Sequence, residues 1–219
     1  MPRPNRRPAE KDPNALLGSV GYAGGMDTFD LAIAPDFQSF LDANMPMIHP
    51  EGTIGRVRRA FGINGSYAMA FKTLRHALRQ EIDRWPEMIV MEIMQNRDLS
   101  ERLDHEQMDT FRLLCQRHKQ AILDAKFDAD YFRTLEEFVL FFIYHDIRAV
   151  WVAGALKNVI SESMARLYDR NDSSQRRILF TLLDFMALEL SQVQRVYIRH
   201  AEYQEITASD PEGLRTRAT

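Results

Sequence analysis

The stretch FFIYHDIRAVWVAGAL, Phe141 to Leu156, decides how this chain is read. With helical spacing, Leu135, Phe138, Phe142, His145, Ala149, Val152 and Leu156 fall on one stripe that steps by three and four. That is the period of a helix face turned to a core. Every member except His145 is apolar. The spacing predicts a long helix that opens at Asp128 and either runs to Tyr168 or breaks near Arg148. Burying an imidazole costs free energy unless its nitrogens find partners. His145 therefore marks either a bonded core residue or a site.

The same period extends on both sides. Upstream, Tyr67, Phe71, Leu74, Leu78, Ile82 and Trp85 form a stripe with Ser66 as the N-cap candidate. Pro86 is expected to break or kink that helix after Trp85, and it can occupy the first turn of a next, short apolar helix, PEMIVMEIMQNR. Asp104 and Gln107 have capping-box spacing, ahead of a stripe of Met108, Phe111, Cys115, His118 and Ile122. Downstream, DRNDSSQ reads as a loop, with Asp172 and Gln175 again at capping-box spacing. A last helix from about Ser174 to Gln204 carries Leu179, Leu183, Met186, Leu190, Val193 and Tyr197 in register. No strand pattern and no internal repeat occurs. The fold class is all-α, with roughly six to eight helices.

Residues 1–25, rich in Pro, Arg, Asn and Gly, read as a disordered tail, with GYAGG as flexible chain. Residues 26–65 form an N-terminal extension in which Pro35 and Pro46 bracket one short helix. Within it, EGTIGRVRRAFGINGS reads as a linker, and Arg56 to Arg59 as a solvated basic edge. Residues 66–205 form the main domain, and 206–219 a loose polar tail.

The chain has 219 residues with 45% apolar and 27% charged side chains, an ordinary globular composition. A net charge of −3 gives no reason to expect nucleic acid or an anionic membrane as partner. Cys115 is the single cysteine, so no intrachain disulfide forms, as in a reducing compartment. No apolar run is long enough to span a bilayer. MPRPNRRPAEKDPN lacks the apolar segment of a secretory signal. A cytoplasmic location is expected.

Most chemical signatures are missing: there is no P-loop, HExxH, paired CxxC or GxSxG. Asp184, in LLDFM, is a lone carboxylate expected at a helix edge. Cys115 reads as a small core hydrophobe. No acid/base pair stands where a substrate would sit, so the chain does not read as an enzyme. Two histidines on core stripes remain, His118 and His145. One reading bonds each to a neighbouring helix. The other makes an imidazole an iron ligand, since haem is an apolar disc that needs such a sleeve. Phe138, Phe141, Phe142, Val150, Trp151 and Val152 surround His145 in sequence.

Three segments carry a resemblance: FDADYFRTLEEFVLFFIYH, VWVAGAL and LFTLLDFMALELSQVQRVYI. Together they resemble the sensor-globin and protoglobin families, the haem domains of bacterial and archaeal gas sensors. The likeness covers about Tyr67 to Tyr203. It implies a globin-like helical fold with an N-terminal extension, and a haem b whose iron is held by His145. Around that haem the resemblance places Phe138, Phe142, Trp151, Met91, Leu114 and His118, the last facing His145 across the pocket. Trp151 and Gly154 match the segment after the proximal histidine. The family turn after the histidine is absent, because DIRA leads straight to Val150. The helix that carries Val90 and Met91 offers no distal tyrosine. The resemblance also implies a homodimer through residues 149–168 and 174–204, and a diatomic gas (oxygen, CO or NO) as ligand. Its signal would pass to a downstream partner protein. Haem-free members of this fold serve as regulatory or interaction modules, which is the second functional expectation.

Overall fold

The computed structural model describes residues 33–48, 52–124, 126–168 and 175–209. Every regular element among them is a helix: α1 (Pro35–Ile48), α2 (Thr53–Ala60), α3 (Gly65–Gln95), the single turn α4 (Arg97–Ser100), α5 (His105–Asp124), α6 (Ala129–Tyr144), α7 (Ala149–Tyr168) and α8 (Gln175–Ser209). The class is all-α, as the periodicity requires. No helix among the described residues is long and apolar enough to cross a membrane. The expected tail at 1–25, with GYAGG, and the Asp172 cap lie outside the described residues; of the expected tail at 206–219, residues 206–209 continue α8 and the rest lie outside them.

α3 does not stop at Pro86; it is one helix of 31 residues. Phe71, Leu74, Leu78, Ile82, Trp85, Ile89 and Ile93 are all buried, and their steps of three and four continue in phase across the proline. A proline in a helix interior costs about 3 kcal/mol. Seven buried side chains on one face outweigh that. The N-cap is Asn64, not Ser66: its side chain accepts the Tyr67 amide N–H at 3.0 Å. The expected linker contains α2, whose Thr53 is buried and whose Ile54 and Val57 pack on the core. Arg56, Arg58 and Arg59 are exposed, as a solvated basic edge should be.

The long helix breaks after Tyr144. Asp146, at φ 54°, takes the left-handed conformation. Its amide donates to Ile143 O at 3.0 Å, and the Ile147 amide donates to Phe142 O at 2.8 Å. These two bonds are the Schellman pattern, with buried Phe142 and Ile147 as its apolar clasp. Arg102 fixes the corner by donating to Asp146 O at 2.9 Å. A turn is therefore present where the resemblance finds none, built by an aspartate in place of a glycine.

α5 pairs with α6 and α7 with α8, while α3 lies against α5, α7 and α8. α1 packs across α6 and α8. Phe37 and Leu41 of α1 are core residues, so α1 belongs to the same packed body as the later helices. The core face of α8 is Leu182, Phe185, Leu188, Val193 and Val196, not the expected stripe from Leu179 to Tyr197. Within that stripe Leu183 is 36% exposed, and only Val193 is fully buried. Leu179, Met186, Leu190 and Tyr197 are half-buried against the edge of the core, so the expected stripe flanks the buried face, and α8 is apolar beyond it as well.

Candidate functional site

His118 is a buried polar residue with a partner at each ring nitrogen. It is 6% exposed. Its Nε2 lies 3.1 Å from Glu189 Oε2 on α8, and its Nδ1 lies 3.2 Å from Thr134 Oγ1 on α6. The Tyr131 hydroxyl donates to Glu189 Oε1, and the Thr134 hydroxyl donates to Tyr131 O at 2.9 Å. Burial, then the nearby Glu189 charge, pushes the Tyr131 hydroxyl well above its usual range, so it remains a donor. Both imidazole nitrogens are occupied within the protein, and neither is free for a metal. The network joins α5, α6 and α8 through four side chains.

A second buried network ties down α1. Arg195 on α8 donates to Glu136 of α6, to Gln192 Oε1 at 2.7 Å and to Ile48 O at the end of α1, also at 2.7 Å. Glu136 is 1% and Gln192 2% exposed. Elsewhere the Trp85 indole donates to Ser163 Oγ at 2.9 Å, which links α3 to α7.

His145 lies in different surroundings. It is the C-cap of α6, half-buried, with its ring 4.5 Å from Phe141 and 4.9 Å from Tyr144. It faces a polar cleft of about 180 Å³ that Asp36, Asp104 and Glu106 also line. Burial lowers its proton affinity, against the opposing pull of Asp104 and Asp36. Thr134, which holds His118, lies eleven residues before His145, about 16 Å along the helix axis. The two histidines therefore do not face each other across a pocket.

The other expected site residues do not converge either. Phe138 and Phe142 are 1% exposed and Leu114 is fully buried. The Phe111 ring lies 5.7, 5.3 and 5.2 Å from those of Phe138, Phe141 and Phe142, so aromatic side chains fill the layer between α5 and α6. Met91 is 58% exposed on α3, and Trp151 44% exposed on α7. Cys115 is buried, and burial pushes its thiol well above the usual range, as an inert core residue requires. Asp184 is exposed at its helix edge.

These residues do not fit a haem. A pocket for a group of that size measures roughly 300–1,000 Å³. The cavity beside His118 offers about 30 Å³, room for about one water molecule. The cleft at His145 is small, open and acidic. Among the described residues, no three His, Cys, Asp or Glu side chains gather as a metal-ion site.

Glu189, Tyr131, Thr134, Glu136 and Arg195 carry the buried polar networks, yet none stands out in the sequence. A carboxylate on an apolar helix reads as an edge residue until the buried face is known. LELSQVQR gives the one available hint, placing Glu189, Gln192 and Val193 on the face that Phe185 begins. Compared with family models, curated proteins and solved structures, the chain shows no significant match to any of them.

Proposed function

We propose that this protein is a haem-free helical interaction module that self-associates through α8, with α7 alongside. The observation that carries this reading is the second apolar face of α8. Phe180 (67%) and Ile198 (58%) are exposed there, with Leu183. Ala187, Leu190, Gln194 and Ala201 continue the same line at steps of three and four. This face lies opposite the buried one. Large exposed apolar side chains in a continuous row mark an association surface.

The row is complementary to itself when run antiparallel. With a two-fold axis between Leu190 and Ser191, Phe180 meets Ala201, Leu183 meets Ile198 and Ala187 meets Gln194. Each large group finds an apolar or smaller one, as an isologous interface requires. Val150 and Trp151 on α7 are also exposed. The globin-like arrangement belongs to this reading as its haem-free form. No catalytic role is proposed. Gas binding through His145 would need a haem pocket, and the filled aromatic layer between α5 and α6 speaks against one.

Sedimentation equilibrium tests the proposal. The unaltered protein should run as a dimer at micromolar concentration. Leu183→Asp with Ile198→Asp should give a monomer with unchanged far-ultraviolet helicity, because both side chains already face solvent. A monomeric parent protein at about 100 μM, a concentration at which even a weak dimer populates, would end the proposal.

A further inference from the structure

We draw no further inference here: the strongest candidate, the arginine-lined hollow of Gly55, Arg58, Arg59, Gly62 and Asn64 where α2 leads into α3, rests on exposed guanidinium groups beside a helix N-terminus, with no second observation that points to a ligand.

Discussion

His118→Ala is expected to destabilise the fold by about 3–5 kcal/mol, the cost of leaving a buried charge without its partner. Glu189 is 2% exposed, and in the variant its Oε2 loses the imidazole that lies 3.1 Å away. The Tyr131 hydroxyl would remain on Oε1, which does not compensate for the lost donor. His118→Gln keeps one N–H within reach of Glu189 and should cost less. A triple variant, His118→Leu with Glu189→Leu and Tyr131→Phe, removes three of the four polar side chains together and leaves the Thr134 hydroxyl on the Tyr131 carbonyl. It should recover most of the loss, because desolvation is what makes the half-network expensive. Urea unfolding followed by circular dichroism measures all three. A loss below about 1 kcal/mol in His118→Ala, the range of an ordinary surface change, would mean that Glu189 is not held as described.

Arg195→Met should have the next largest effect, about 3 kcal/mol, by withdrawing the guanidinium from the buried Glu136. Methionine keeps the apolar stem, so the loss reports on the charge rather than on packing. The effect should be local as well as global. Arg195 holds the last carbonyl of α1 through Ile48 at 2.7 Å. Once it is gone, α1 remains fastened by Phe37 against Phe141 and by Asp36 to Tyr144. Amide exchange in Pro35–Ile48 should then accelerate more than exchange in α6. Arg195→Lys should fall between, because an ammonium cannot present the planar fork that reaches Glu136, Gln192 and Ile48 together. Unchanged protection of α1 in Arg195→Met would contradict this role.

The helical period made much of the fold legible. The stripe from Phe71 to Trp85, the pairing of Asp104 with Gln107 and the start at Asp128 all stand where the spacing puts them. What periodicity could not supply was a choice between faces. Leu179, Leu183, Met186 and Leu190 make a true apolar line on α8, but a helix with two such lines does not reveal which is buried. The Leu179 line runs along the edge of the buried face, and following it left Glu189 and Gln192, both core residues, unread. Pro86 misled in the opposite way: a local rule gave way to buried side chains in phase on both sides.

The candidate site was harder to read for a similar reason. His145 follows Leu135, Phe138 and Phe142 in spacing, yet it falls one residue beyond the helix, where the chain turns through Asp146. A left-handed aspartate gives no glycine to announce the turn. The imidazole therefore ends at a polar rim and not in the wall. His118 was visible as a core residue, and the reading of it as bonded within the protein is what its two contacts describe. Its partners come from α6 and α8, and spacing within one helix cannot name them.

Phe111, Phe138, Phe141 and Phe142 fill the interior between α5 and α6, and the function proposed for the chain is haem-free. Titration of the purified chain with haemin, followed in the near-ultraviolet, tests it most directly. The account expects no sharp saturable band at one haem per chain, and identical spectra for the parent protein and His145→Ala. A stoichiometric band that is present in the parent and lost in His145→Ala would contradict it.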